Sequence, residues 1–384
     1  MFGIHLKRGS EKIVAVADIG SGSAALALVA VPKTGPVRLL TVKRSILSLE
    51  ERSPQAIASA IGAHLLEAGQ QVLSDYHKNG SPLPGSVYAV IRAPWTRSKT
   101  IRAHADFPQA TRITGAMIRT LAQQALRGES DSSGGIIEAG VIRVEVGGYP
   151  TSEPEGKPGS ELAVTALVSV CEAALCESVT RALQQLFGAR SITMRSGVHA
   201  ILSVMRNTPE APKDFLVVDM ASEGTNFTVV RDSVTTEHGE TTEGRNAILK
   251  RISPDGMPEG ALALLRLVAR GSCHDSACEE LNLAVAKAEP ELVRVFGEVI
   301  AKLVSRERLP NHLILATHED LVPWLTKLFS RIDFAQFTTT TQPFIVFPLR
   351  PADFGRWVSP ESAAQADTGI LAAAALVNIE HDRG

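Results

Sequence analysis

Two short segments, 201 residues apart, carry groups whose types and spacing suit one kind of chemistry. Val14 to Val29 reads VAVADIGSGSAALALV, and Phe215 to Val230 reads FLVVDMASEGTNFTVV. Aligning Asp18 with Asp219 sets Ile19 on Met220, Gly20 on Ala221, Ser21 on Ser222 and Leu26 on Phe227. Each segment is an apolar strand, an aspartate, a turn of small residues and a second apolar strand. Backbone amides in such a turn can hold phosphate oxygens, and the carboxylate can orient Mg²⁺ through its waters. Glycine and serine allow the dihedrals and the close approach that this loop requires. Two such hairpins facing each other across a cleft would grip a triphosphate, together with its Mg²⁺, from both sides. The candidate contacts are Asp18, Gly20, Ser21, Gly22 and Ser23 in the first segment and Asp219, Ser222, Gly224 and Thr225 in the second, with Asp18 and Asp219 as the metal contacts. Plain hairpins also pair Asp with Gly, so the weight lies in the repetition.

The elements around these hairpins read as α/β. Ser53 before Pro54 is a helix start, and Ile57, Ile61, Leu65 and Val72 recur at helical spacing until Asn79-Gly80 stops the run. Val87 to Ile91 is a short strand and Arg112 to Leu126 a second helix. Val141 to Val146 alternates apolar and charged residues, the mark of a half-buried strand. A loop rich in Pro, Gly and Glu then leads to the apolar run Leu162 to Val170 and to an amphipathic helix on Leu175, Val179, Leu183 and Leu186. The span 93–188 thus forms a compact α+β unit lodged in the first half. Beyond the second hairpin come a helix near Asn246, a helical region from Pro258 to Ser305, a strand at His312 to Leu315, a helix at Val322 to Phe329 and a last strand at Gln342 to Phe347. The Ala-rich segment Glu361 to Ile379 closes the chain as a helix with a small-residue surface suited to packing on a sheet.

Composition sets the frame for these elements. The 384 residues exceed one ordinary core, and 44% hydrophobic with 21% charged residues excludes a disordered or coiled-coil chain. A formal charge of −2 leaves no whole-chain field to attract nucleic acid or anionic lipid, although a local patch around Arg92, Arg97, Lys99 and Arg102 could form, with Trp95 as an aromatic anchor. The same patch could equally be a solvated face. The longest apolar runs fall short of the ~20 residues that span a bilayer, and the first residues lack an apolar signal region. A cytoplasmic protein is expected. The four cysteines form two pairs, Cys171 with Cys176 and Cys273 with Cys278, read as small buried thiols rather than zinc ligands because their spacing is too wide.

Together these motifs resemble the actin-like ATPase superfamily, in the branch that contains the cell-division protein FtsA and the type IV pilus assembly protein PilM. Asp18-Ile19-Gly20-Ser21-Gly22-Ser23 is similar to that family's first phosphate loop. Asp219 through Thr225-Asn226, with Val229, Val230, Arg231 and Asp232, is similar to the second, and its D-x-x-x-E-x-T-N form lies nearer the pilus protein. His312 to Leu325, HLILATHEDLVPWL, resembles the segment that holds adenosine, with Thr317 as the candidate contact. There Thr317, His318 and Glu319 replace glycines, Trp324 replaces another, and Ala221 replaces one in the second loop. Around Arg195 to Ala200 the family places a water-orienting side chain; His199 is the candidate catalytic group, its other reading being a structural histidine at a helix start.

The resemblance implies a duplicated, ribonuclease H-like fold of two domains around a nucleotide cleft. Residues 1–92, 189–210 and 356–384 would form the first domain and 211–355 the second, with a helical subdomain at 251–305 and the inserted α+β subdomain at 93–188. It implies ATP with Mg²⁺ as the cofactor and at most a weak ATPase. The function it points to is a scaffold or adaptor at the cytoplasmic face of the membrane in type IV pilus or secretion machinery. An FtsA-like protein that polymerises and links a ring to the membrane is the alternative, and a kinase or chaperone-type ATPase is the alternative from another class. Implied partners are the cytoplasmic tail of a membrane protein and further copies of the chain in filaments; membrane contact would be indirect, and nucleic acid is not expected.

Overall fold

The computed structural model describes residues 11–48, 53–77, 83–127, 135–188, 190–253, 258–274, 276–304, 307–361 and 366–381. The expected helix stop at Asn79-Gly80 and the expected end of the helical region at Ser305 lie outside the described residues. The chain divides into two compact units, one of Met1–Ile91, Glu177–Asn207 and Arg350–Gly384, the other of Arg92–Cys176 and Thr208–Leu349.

The first unit is built on a six-stranded sheet in the order Val358–Pro360, Val37–Ile46, Ser23–Val31, Lys12–Ile19, Ser86–Ile91 and Ile192–Ser196. Lys12–Ile19 and Ser23–Val31 pair antiparallel, and Ser86–Ile91 and Ile192–Ser196 run parallel to the first strand. Their near-continuous apolar runs are buried on both faces, as strands covered on both sides must be. Helix Pro54–His77 packs on the second and third strands; Ser53 Oγ accepts from Ala56 N at 3.3 Å, and Pro54 opens the first turn where its missing N–H costs nothing. The closing helix, Thr368–His381, is buried almost all round from Gly369 to Ile379, packed with Val14, Val16, Ala25 and Ala27 of the sheet. Its alanines allow that close approach.

The second unit repeats the pattern. Its five-stranded sheet runs Val234–Thr241, Thr225–Arg231, Phe215–Met220, His312–Ala316 and Ile345–Pro348, again an antiparallel hairpin flanked by parallel strands. The hairpin registers coincide under the sequence alignment: Asp18 faces Ala25 and Asp219 faces Asn226, Ile19 faces Ala24 and Met220 faces Thr225. The helical region comprises Arg245–Arg251, Pro258–Ala269 and Ser276–Leu303, whose Leu292, Phe296 and Ile300 join Phe227, Phe329 and Phe334 in one core.

Of the expected insertion, residues 93–176 belong by their contacts to the second unit although they interrupt the first in chain order, while 177–188 belong to the first. Strands Thr96–Arg112, Pro158–Cys171, Gly135–Val146 and Tyr149–Pro150 form an antiparallel sheet under helix Gly115–Arg127, with Ile113, Leu121, Val144, Leu162 and Val164 as its core. Asn226 Nδ2 donates to Thr96 O at 3.2 Å, and Arg97 grips Glu240 through Nη2 at 2.6 Å and Nε at 2.9 Å.

Three expectations are corrected. The segment Gln342 to Phe347 does not hold the last strand, because Val358–Pro360 follows and pairs with Val37–Ile46 in the other sheet. Cys273 and Cys278 are joined in a disulfide rather than being free thiols. Cys171 is a buried thiol at the end of a strand, but Cys176 in helix Ala173–Phe187 is only half-buried; the hydrogen bond between them, with burial, pushes the Cys171 thiol well above its usual pKa. Among the described residues no helix is long and apolar enough to cross a membrane.

Candidate functional site

Both aspartates stand at the carboxyl ends of the central strands, the end at which open α/β sheets bind ligands. In the first unit the parallel register sets Asp18 beside Val90, and Ile91 beside Ser196, which begins the segment leading to His199. In the second unit it sets Asp219 beside Ala316, the residue before Thr317. The strands therefore bring Asp18 and His199 to one end of the first sheet, and Asp219 and Thr317 to one end of the second.

The turns that follow the aspartates are closed in the same way. Gly20 N donates to Ser23 O at 3.0 Å and Ala221 N to Gly224 O at 2.9 Å, so the methyl of Ala221 does not prevent the turn. Around the second turn the packing is tighter. A Cβ on Gly244 would lie 2.3 Å from Gly224 N and 2.6 Å from Ser222 O, so only glycine lets that backbone pass, whereas a Cβ on Gly20 would meet nothing nearer than Ser23 O at 3.6 Å. Helix Arg245–Arg251 starts directly on the loop, with Arg245 N and Asn246 N donating to Ala221 O and Ser222 O.

Neither carboxylate is alone. Asp18, 1% exposed, accepts from Arg44 Nη2 at 2.6 Å; the same nitrogen donates to Asp367 Oδ1 at 2.9 Å, and Arg44 Nη1 donates to Ser23 Oγ at 2.7 Å. Burial works against the charge on Arg44, but Asp18 and Asp367 outweigh it and raise its pKa above the ordinary arginine value. Asp367 in turn accepts from Gly369 N and Ile370 N at the start of the closing helix. Asp219, also 1% exposed, accepts from Arg92 Nη2 at 2.7 Å. Asp18 Oδ1 remains buried with no hydrogen-bond partner among the described residues.

The hydroxyls of the second loop are engaged as well. Thr225 Oγ1 donates to Glu243 O at 2.6 Å and Ser222 Oγ accepts from Arg245 Nη2 at 2.9 Å, while Arg251 forks onto Glu243. In the segment similar to an adenosine loop, Asp320 is buried and held by both arms of Arg266 at 3.0 and 2.8 Å, and Trp324 Nε1 donates to Glu289 at 2.9 Å. Burial, with Arg245 nearby, lowers the His318 pKa. Thr317 Oγ1 is buried with no partner among the described residues. His199 sits half-buried in the first turn of helix Gly197–Arg206, its backbone amide capped by Ser196 Oγ at 3.2 Å.

The expected basic patch is not a free cationic surface. Arg92 pairs with Asp219, Arg97 with Glu240 and Arg102 with Glu145, and Trp95 is buried rather than presented as an anchor. Sequence reasoning assigned no role to Arg44 or Asp367 and saw Arg92 only as surface charge. The one signal for Arg44 was a cation in a strand that must lie next to the hairpin.

These residues do not fit Mg²⁺ in the way the two strand-end aspartates suggest, since each carboxylate already has a guanidinium in contact. Among the described residues no group of three His, Cys, Asp or Glu side chains could hold a metal ion.

No family model and no curated protein matches the chain. Among solved structures it is similar to the PilM–PilN type IV pilus biogenesis complex, at 16% identity and a TM-score of 0.51, over 96% of this chain and 99% of that one. It also aligns with the ethanolamine utilization protein EutJ from Carboxydothermus hydrogenoformans, at 12% identity and a TM-score of 0.43, over 96% and 92% of the two chains. A Bacteroides thetaiotaomicron protein with an actin-like ATPase fold gives 8% identity and 0.39 over 90% and 94%. At these identities the likeness concerns the fold: the chain has the duplicated actin-like ATPase fold.

Proposed function

We propose that this chain is an actin-like scaffold or adaptor of a type IV pilus or secretion assembly, working at the cytoplasmic face of a membrane and receiving the cytoplasmic tail of a membrane-protein partner. The observation that carries the reading is the likeness to PilM of the PilM–PilN complex along 96% of this chain, insertion included. The state of the candidate site supports assembly rather than turnover as the output. The hydroxyls of Ser23, Ser222 and Thr225 and one oxygen of each strand-end carboxylate are held by groups of their own unit. In this reading ATP acts as a ligand that sets the protein's state and is hydrolysed weakly at most.

The test is genetic and direct. Deleting the gene in its host should abolish surface pili or the matching secretion, seen by negative-stain microscopy, and the wild-type gene should restore them. In vivo crosslinking should capture a protein with a single membrane span. Normal piliation and secretion in the deletion strain would overturn the proposal.

A further inference from the structure

We infer that the guanidinium groups of Arg44 and Arg92 are built-in counter-cations that take the place of a divalent metal at Asp18 and Asp219, so that neither hairpin of this chain binds Mg²⁺. An aspartate buried to 1% exposure needs a compensating charge. In a nucleotide-dependent relative of this fold the charge can arrive with the metal; here it is covalently part of the chain. Arg44 lies 2.6 Å from Asp18 and Arg92 2.7 Å from Asp219, distances of charge-assisted hydrogen bonds. Mg²⁺ demands a near-octahedral shell and keeps several of its waters. Each of those waters would have to compete with a guanidinium already in contact, and the ion itself would stand beside a like charge.

The surroundings hold the arginines where they are. Arg44 is tied on its other side to Asp367 and Ser23, so releasing Asp18 would mean rebuilding a contact with the closing helix. Arg92, whose Nη2 reaches Asp219, opens the turn in which Trp95 N donates to Arg92 O at 3.1 Å, which fixes the backbone that carries it. Asp18 Oδ1 is buried and has no hydrogen-bond partner among the described residues. A metal-bound water that reached this aspartate would donate to that oxygen.

Mn²⁺ is the probe, because its uptake is read directly from the loss of its free electron paramagnetic resonance signal. The full-length chain is titrated with Mn²⁺ alone and with a non-hydrolysable ATP analogue. The expected result is no saturable uptake by the chain beyond what the analogue binds by itself, and a melting temperature that is the same in MgCl₂ and in EDTA. Saturable uptake that Asp18→Asn or Asp219→Asn abolishes would overturn the inference. The converse arm uses Arg44→Gln and Arg92→Gln. A folded variant should gain Mn²⁺ uptake and a metal-dependent rise in melting temperature, and a folded variant that gains neither would show that the arginines are not what occupies the sites. Should one of these variants not fold, the other variant and the wild-type titration still decide. The outcome is independent of the assembly the protein serves, so the deletion experiment and the metal titration can fail separately.

Discussion

The two hairpins have the same strand register and the same turn, yet their aspartates are neutralised from different places. In the first unit the cation comes from the third strand, where Arg44 lies opposite Ala25, the hairpin partner of Asp18. The corresponding position in the second unit, opposite Asn226, is Glu240, which has the reverse charge and pairs with Arg97. There the cation for Asp219 is Arg92, at the start of the segment leading into the insertion. A pair inherited through duplication would occupy equivalent positions in both halves. What recurs instead is the neutralised charge, reached by two routes on one scaffold.

The largest effects should come from removing either arginine. Arg44→Met and Arg92→Met each leave a buried carboxylate without its partner, a loss of about 3–5 kcal/mol, read as a lower urea midpoint. Asp18→Asn combined with Arg44→Met should recover most of the loss, because the uncompensated charge is then gone. If one of the two single variants proves neutral, the equivalence of the two sites breaks. Glycine substitutions come next. Gly244→Ala forces a Cβ into backbone at 2.3 Å and should cost about 1–3 kcal/mol, whereas Gly20→Ala, with 3.6 Å of clearance, should stay within about 0.5 kcal/mol in thermal melts. Thr225→Val follows: it removes the hydroxyl that meets Glu243 O and should cost about 1 kcal/mol. Its counterpart in the first hairpin is Ala24, where no such bond exists to lose.

The smallest effect is that of pH, and it should belong to the second unit. Burial lowers the pKa of His238, against the pull of Glu240 and with Arg97 adding to the effect. The unfolded chain therefore takes up a proton near 6.5 while the folded chain does so only at lower pH. In that window the unfolded state binds more protons, so stability is full above about 6.5 and declines as pH falls below it. His238→Asn should lessen this decline in a series of melts at stepped pH, the remainder coming from His318, whose pKa burial also lowers, and an unchanged slope would remove His238 as a source.

The hairpins and the parallel strands beside them, Ser86–Ile91 and His312–Ala316, were legible because local pattern determines them, whereas Val37–Ile46, Ile192–Ser196 and Val234–Thr241 were not read as strands. The helix at Val322–Phe329 was readable for the same reason, its apolar spacing being strong over a short span. The charge partners were not legible. Arg44 and Asp367 are 323 residues apart, and Arg92 and Asp219 are 127 apart. Their pairing depends on sheet order and side-chain reach, which no window of sequence contains. The short strand Val358–Pro360 was missed likewise, because three residues carry no period and only the neighbouring Val37–Ile46 makes them a strand. Trp95 looked like an exposed anchor among arginines; the same arginines proved to have carboxylate partners, and the ring went inside.

The bridge from Arg44 to Asp367 also orders events during synthesis. Domains tend to fold as they emerge, N-terminal parts first. Arg92 is already made when Asp219 leaves the ribosome, so the second unit can satisfy its buried carboxylate as soon as that strand forms. Asp18 and Arg44 emerge together, but Asp367 and the closing helix that covers the first sheet come only at the end of translation. The first unit therefore waits, its hairpin made and its core uncovered, while some 140 residues of the second unit, Thr208–Leu349, are produced. A released chain truncated before residue 367 should therefore display a protease-sensitive first unit and a protected second unit.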